Sequence, residues 1–406
     1  MLGTDALIWL AGLSALLSAL PLAMTLWNLR LYRRSDPSAR IDHGRRVFVC
    51  VPARDEAGNI EACVRSVLGN DHPDLRVVIY DDHSTDRTPE IVSMLRAEDG
   101  RVLSAPTAPL PAGWNGKQHA CWSMGSAVSR GLGGEPPLRD EDLLLFTDAD
   151  VRFSADALRR AQAERDRLGA DLLSTFPRQL TGTLAEAAVV PMMFYLLLGY
   201  LPIARMRATR DPASSAGCGQ FILMTGAAWR AIGGHAACRD SMHDGIKLPR
   251  AARAAGLRTD LFDGTDLAWV RMYRGFGQVW RGFAKNAYEG LGSPGLLVFM
   301  TSLHLLGHLL PWVLALAWAL GAGVPPGAGV LCLLAIGAQV WQRLLLAARL
   351  RHTPVGAVLH PVGVALMTGI QWHSWWIQAR GGRRWRGRVL AAGAARGGGE
   401  TPSGTG

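Results

Sequence analysis

Charge is missing from long stretches near both ends of the chain and frequent in its middle. No Asp, Glu, Lys or Arg occurs from Ala6 to Leu29, and at about 1.5 Å per residue that run can cross a bilayer core of about 30 Å as one helix. Gly290 to Gln342 is equally uncharged and long enough for two spans broken at "GVPPG", and Val355 to Ala379 offers a further one. Between them the pattern changes. "RRVFVCVPA" is a short β-branched run ending at a proline, followed by "NIEACVRSVLGN" with apolar residues at helical spacing. "LRVVIYDDHSTD" is a buried strand ending in acids, with Ser84 or Thr85 able to cap the helix "RTPEIVSMLRAE". "DLLLFTDADVRF" repeats the strand-then-acid plan.

Strand, helix, strand, helix predicts an α/β domain, Rossmann-like, with a mainly parallel sheet and helices on both faces. Such sheets bind ligands at the carboxyl ends of their strands, where these acids lie. The chain divides into an N-terminal transmembrane anchor (1–34), a cytosolic domain (45–289), C-terminal membrane helices (290–379), and a tail (380–406) that is basic and then low-complexity and disordered.

The 406 residues suffice for a buried core, and a hydrophobic fraction of 49% with 19% charge is accounted for by the apolar ends. With no basic residue ahead of it and no convincing cleavage site, the first segment reads as an anchor rather than a secretory signal. Arg30, Arg33, Arg34, Arg40, Arg45 and Arg46 follow that span, which places the middle of the chain on the cytoplasmic side of the cell membrane. Arg343, Arg349 and Arg351 agree if Gly290–Gln342 is a hairpin. A full crossing by Val355–Ala379 would export the basic run Arg380–Arg388. A re-entrant or interfacial placement would keep it inside. The net charge of +10 is mostly juxtamembrane arginine and points to an anionic lipid surface; no basic-aromatic nucleic-acid motif is present. Six cysteines without C-x-x-C spacing read as core residues of a reducing compartment.

"TDAD" carries the chemistry. In extended chain, residues two apart point the same way, so Asp148 and Asp150 are expected to present oxygens to one side of a strand end. Mg²⁺ or Mn²⁺ takes few protein carboxylates and completes its shell with water and phosphate oxygens. Asp82, ending the neighbouring strand, is expected to supply a third acid.

"VPARDEAGNI", "VVIYDDHSTD", "TDAD" and "GCGQFILMTGAAWRAIGG", in this order, resemble the GT-A catalytic domain of family 2 glycosyltransferases over roughly Val47 to Glu289. "LPAGWNGKQHA" is similar more narrowly to membrane-anchored members associated with hopanoid and carotenoid biosynthesis. The resemblance implies Pro52, Ala53 and Glu56 in the nucleotide pocket and Asp82 on the base or ribose of a nucleoside diphosphate sugar, with a UDP-hexose expected. It implies Asp148 on the ribose or sugar side, Asp150 on the metal, and Lys117 as a basic contact to donor phosphates or sugar. Only three lysines occur against forty arginines, which sets Lys117 apart.

Inverting transfer needs a carboxylate that takes the proton from the acceptor hydroxyl as it attacks the anomeric carbon. The resemblance assigns that role to Asp244, with His243 where the family more often has an acid; Asp240 is the rival, and a helix cap the plainer role for Asp244. Gln220 in "GCGQ" is expected near the donor sugar or acceptor. Arg281 in "QVWRGF" is a candidate for the diphosphate, though Gly282 stands where processive synthases have tryptophan. The apolar segment Ala185–Met206 is expected to lie in the membrane interface and lead a lipid acceptor to Asp244; a buried core helix is the alternative. The expected activity is metal-dependent, inverting transfer of a hexose to a lipid hydroxyl. A polysaccharide-type synthase is the runner-up, and a non-catalytic scaffold or transporter fits the flanking spans less well.

Overall fold

A computed structural model describes residues 3–41, 45–380, 384–385 and 388–389 of the chain. The low-complexity end of the expected tail, 390–406, lies outside them. The strands of the α/β domain are β1 (Val47–Ala53), β2 (Leu75–Asp81), β3 (Val102–Ser104), β4 (Leu143–Phe146), β5 (Arg152–Phe153), β6 (Leu172–Ser174), β7 (Arg178–Gln179), β8 (Ile222–Thr225), β9 (Thr259–Leu261) and β10 (Ala268–Val270). Seven form one sheet in the order β3-β2-β1-β4-β8-β6-β9, in which only β8 runs antiparallel to its neighbours. The other three make a small sheet, β5-β10-β7. This is the α/β GT-A arrangement.

Alternation within β1 shows why these residues make a central strand. Val47, Val49 and Val51 face one core, and Phe48 and Cys50 face another. The helices so far along the chain are α1 (Thr4–Leu31), α2 (Ile60–Leu68), α3 (Thr88–Glu98), α4 (Gly116–Arg130) and α5 (Ala157–Leu168). The valine face is covered by α2, α3 and α5 through Val64, Val67, Leu95 and Leu158. The opposite face is covered by α4 through Cys121, Met124 and Val128. Burying one such valine is worth about 1.5–3 kcal/mol, so Val49→Asp, which also buries an unpaired charge, would break the strand. All six cysteines are buried and unpaired, in keeping with their expected core role.

Next in the chain come α6 (Leu184–Val189), α7 (Met192–Tyr200), α8 (Ile203–Ala208), α9 (Gly226–Ile232), α10 (Asp244–Ala254), α11 (Phe276–Ala284), α12 (Ala287–Leu291), α13 (Pro294–Leu303) and α14 (Leu310–Ala319). A π-helical turn, His304–Leu309, joins α13 to α14. The last helices are α15 (Pro326–Leu350), α16 (Val355–Val358) and α17 (His360–Ala379).

Among the described residues three helices are long and apolar enough to cross a membrane: α1, the continuous Pro294–Ala319, and α15. α17 is not one of them. It packs on α11 and α12, with Trp280 Nε1 donating to His373 Nδ1 at 2.9 Å and the Tyr288 amide donating to Ser374 Oγ at 3.0 Å. α17 also packs on the π-turn and α13, so it bridges the apolar helices and the α/β domain.

The spans meet through small polar residues. Ala11, Ser14, Ser18, Pro21, Thr25 and Asn28, spaced by three and four, are the buried face of α1. Ser14 and Ser18 donate to the Leu306 and Gly307 carbonyls at 2.6 and 2.7 Å, and Gln339 of α15 reaches both Ser18 Oγ and the Gly307 carbonyl. A π-turn leaves carbonyls short of helical partners, and in an apolar layer other side chains must supply them.

Two expectations are corrected. The segment Ala185–Met206 breaks into α6, α7 and α8, and its apolar side chains are enclosed by protein: Phe194 is 1% exposed and Leu197 9%. They pack among α1, α15 and α17 instead of facing acyl chains, because three helices converge on this segment. The juxtamembrane arginines are also less free than their number implies. Arg34 and Arg349 lie 3.5 and 3.1 Å from Asp263, and Arg351 lies 2.8 Å from Asp266. These pairs fasten the spans to the α/β domain.

Candidate active site

The chain leaves β1 for β2 and β3 on one side of the sheet and returns to β4 on the other. The carboxyl ends of β1 and β4 therefore border the crevice where such sheets hold ligands. Pro52 and Ala53 close β1, and the Asp82 amide donates to the Ala53 carbonyl at 2.8 Å. The loops beyond are tied together: Asp55 donates its amide to Ser84 Oγ and accepts the Thr85 amide at 2.7 Å. Asp55 and His83 sit at φ 53° and 54°, in the left-handed region that non-glycine residues seldom occupy. Asp82 is buried with its carboxylate 3.4 Å from Arg54 Nη1. Glu56 accepts from Asn59 Nδ2 at 2.9 Å.

Asp148 and Asp150 do not stand on extended chain. β4 stops at Phe146, and the Val151 amide donates to the Asp148 carbonyl at 3.2 Å, closing a turn. This turn, rather than strand alternation, sets the two acids. Asp148 stays partly exposed, while Asp150 turns inward with Oδ1 sealed and without a hydrogen-bond partner among the described residues. Burial first, then the charges of Asp148 and Glu56, push Asp150 up to about 7. Glu56 is thus the third acid whose field reaches Asp150; Asp82, expected in that place, faces Arg54. A sealed carboxylate oxygen with no partner is costly, and it suits a hard divalent cation. Among the described residues no three side chains are arranged to hold an ion alone, so one bound here would lean on phosphate oxygens and water.

Lys117 joins the two halves of the site. Asn115 caps α4 by accepting the Lys117 amide at 2.9 Å, which aims the side chain across the sheet end. The ammonium lies 2.6 Å from Asp148 Oδ1 and 3.1 Å from Asp244 Oδ2. Burial would lower its pKa, but the two carboxylates outweigh burial and hold it well above the usual lysine range. Burial pushes Asp244 up, but Lys117 together with His235 and His243 outweighs it, so Asp244 stays below its ordinary value and ionised.

Asp244 is also the first residue of α10 and accepts the Gly245 amide at 2.8 Å, so the helix-end role and the place in the site coincide. The close packing needs glycine: a Cβ on Gly219 would lie 2.1 Å from Asp244 Oδ1. Burial lowers the pKa of His243, keeping it neutral. Asp240 is exposed. Gln220 is buried behind the acids, its Oε1 accepting from Gln179 Nε2 at 3.1 Å and its carbonyl from Thr147 Oγ1 at 2.8 Å. Arg281 is exposed on α11 with its guanidinium beside Gly277.

The structure therefore brings Asp148, Asp150, Lys117, Asp244 and Glu56 together, with Pro52, Ala53 and Asp82 lining the strand ends; Gln220 braces from behind and Arg281 stands on a separate helix. Sequence reading missed Gly219 as the seat of Asp244, although two glycines in "GCGQ" signal a close approach. It also missed Glu289, which accepts from Ser241 Oγ at 2.5 Å and the Met242 amide at 3.1 Å and so holds the loop before Asp244. A lone acid at the edge of an apolar run carried no signal.

Residues 48–108 match the family model described as Glycosyl transferase family 2. A comparison with curated protein sequences gives no match. Among solved structures, a mannosyltransferase, PcManGT from Pyrobaculum calidifontis, in complex with GDP-Man and Mn²⁺, is similar at a TM-score of 0.53 and 18% identity, over 90% of this chain and 99% of that one. S. aureus TarS 1–349 with UDP (TM-score 0.39, 14% identity, 86% and 97% of the two chains) is more distant. So is glucosyl-3-phosphoglycerate synthase from Mycobacterium tuberculosis with Mn²⁺, UDP and phosphoglyceric acid (0.35, 19%, 57% and 72%). The strand ends that carry Pro52, Ala53, Glu56 and Asp82 lie within the family match, and the fold as a whole is that of a GT-A glycosyltransferase.

Proposed function

We propose that the chain is an inverting, metal-dependent hexosyltransferase acting from a nucleoside diphosphate sugar, a UDP-hexose first, on the hydroxyl of a hopanoid- or carotenoid-like lipid at the cytoplasmic face of the cell membrane. One observation carries the reading: a single half-buried lysine spans Asp148 of the "TDAD" turn and Asp244, so a carboxylate able to act as base stands across from the acids suited to a metal diphosphate. Asp150, with Asp148 beside it, would hold the divalent ion, which supplies neutralisation of the charge gathering on the departing diphosphate. The fold neighbour whose structure holds GDP-Man and Mn²⁺ supports a nucleotide-sugar donor and a divalent metal.

Asp244, ionised beside Lys117, takes the proton of the acceptor hydroxyl. The hydroxyl oxygen forms its bond to the anomeric carbon on the face opposite the diphosphate, and the bond from that carbon to the diphosphate oxygen breaks. Pro52, Ala53, Glu56 and Asp82 bound the nucleotide end; Lys117 can turn from the acids to a donor phosphate. Three helices apolar enough to span a membrane, fastened to the domain by the Asp263 and Asp266 pairs, support a lipid acceptor.

The test uses proteoliposomes of the full chain with candidate acceptor lipids, Mn²⁺ or Mg²⁺ and separate UDP- and GDP-hexoses, with lipid extracts read by mass spectrometry. A hexose-sized mass gain on a lipid that depends on metal and on Asp244 is expected. Transfer onto a growing sugar polymer and not a lipid would favour the synthase reading.

A further inference from the structure

We propose that the pocket at the domain-facing end of α15, built on Arg343 and His352, binds the phosphate group of a membrane phospholipid, separately from the donor site. The pocket is narrow, about 10 Å³, so a phosphate would sit at its mouth; it is lined by Pro191, Arg343, His352, Thr353 and Gly356 among others. Arg343 is 3% exposed. Its Nη2 donates to the Gly356 and Ala188 carbonyls at 2.9 and 3.4 Å and its Nη1 to Met192 Sδ at 2.7 Å, so its N–H groups meet neutral acceptors, and among the described residues no carboxylate lies within ion-pair distance of its charge.

The neighbouring arginines differ. Arg349 and Arg351, on the same end of the helix, each face an acid at 3.1 and 2.8 Å. A buried charge is ordinarily paired, and the guanidinium fork matches phosphate oxygens in geometry as well as charge. His352 adds unmet polar atoms beside that unpaired charge: both of its ring nitrogens are sealed from solvent without a hydrogen-bond partner among the described residues. Burial, then the charges of Arg343 and Arg178, depress it to about 4, so it is a neutral imidazole beside two guanidinium groups. Arg178 Nε is buried without a partner as well. The side chains that converge here are thus basic or neutral donors.

Glycine makes room for the fork: a Cβ on Gly356 would come 2.8 Å from Arg343 Nη2. On the other side of α16, Val355 and Val358 are 40% and 73% exposed, giving acyl chains an apolar surface beside the pocket. That surface favours a phosphate carried by a lipid over free phosphate.

The full chain in nanodiscs of phosphatidylcholine with phosphatidylglycerol, transferred to detergent and read by native mass spectrometry, should retain phosphatidylglycerol. His352→Glu sets a carboxylate against Arg343 and should reduce that retention about tenfold, the size of one lost charge-assisted contact. His352→Gln should keep it. Arg343→Gln should also lose it, and the His352 pair keeps the test decisive if that variant folds poorly. Equal retention by wild type and His352→Glu, both folded by circular dichroism, would overturn the site. Stabilisation of delipidated protein by inorganic phosphate as large as that by phosphatidylglycerol would overturn the lipid assignment.

Discussion

Lys117 Nζ lies 3.1 Å from Asp244 Oδ2 although the two residues are 127 positions apart in the chain, and the same ammonium lies 2.6 Å from Asp148 Oδ1. Replacing it by methionine keeps the bulk and leaves the buried Asp244 and the partly exposed Asp148 without their shared cation. Burial alone would raise the Asp244 pKa, and Lys117 is the largest of the opposing influences that hold it below its ordinary value, so in Lys117→Met the acid limb of the kcat profile should move to higher pH. The same sign applies to stability. A depressed carboxylate stabilises the fold above the unfolded carboxylate pKa and loses that contribution as pH falls through its folded value. The melting-temperature gap between wild type and Lys117→Met should therefore be wider at neutral pH than in acid; an equal gap throughout would show that the pair is electrostatically idle.

Asp244→Asn preserves shape and the bond to Gly245 and removes the proton acceptor. It should lower kcat by about 10²-fold or more with donor affinity nearly unchanged. Asp240→Asn, at an exposed position, should leave transfer near normal. Steady-state kinetics and nucleotide titration on both variants check this; the reverse outcome would move the base to Asp240.

The metal has a pH signature. Asp150 is pushed up to about 7, with burial the first cause, so between its unfolded value and that pH the metal-free native state binds more protons than the unfolded state, and stability falls as pH rises. Mn²⁺ should raise the melting temperature more at pH 8 than at pH 5, and Asp150→Asn should remove both the metal effect and most of its pH dependence. A Mn²⁺ shift independent of pH and of Asp150 would place the ion elsewhere.

In the membrane part, Ser18→Val removes the hydroxyl that meets the Gly307 carbonyl and accepts from Gln339. Interhelical hydrogen bonds in bilayers are worth about 0.6 kcal/mol on average and up to about 1.7, so the loss should be modest. Unfolding in mixed micelles would measure it. Leu16→Val, on the exposed face of α1, should have no such cost.

What could be read without coordinates was local. The apolar runs announced α1 and the Pro294–Leu350 hairpin, and the β-branched runs ending in acids placed β1, β2 and β4. The same alternation misled at Asp148 and Asp150, because a turn begins two residues after the strand. Ala185–Met206 looked like a surface for lipid since its composition cannot distinguish acyl chains from the side chains of α1, α15 and α17. The meeting of Lys117 with Asp244 and the bracing of Ser241 by Glu289 depend on long-range packing that no spacing records. The polar seam of α1 was legible, since Ser14, Ser18, Thr25 and Asn28 recur at four, seven and three residues, but an uncharged span draws attention to its length first.

Gly219 offers a way to move the base without altering its chemistry. The added Cβ of Gly219→Ala would fall 2.1 Å from Asp244 Oδ1, inside any permitted contact, and the neighbouring atom is the end of a side chain rather than backbone. The carboxylate should therefore rotate away while β8 and α10 stay in place, and it would lose its distance to Lys117. Proton transfer is sensitive to such displacement, so kcat should fall by about 10²-fold, with nucleotide affinity and melting temperature close to wild type. Gly219→Ala combined with Asp244→Asn should be scarcely worse than either alone, because both remove the same positioned oxygen. Additive losses in that double variant would mean that Gly219 acts on the donor and not through Asp244.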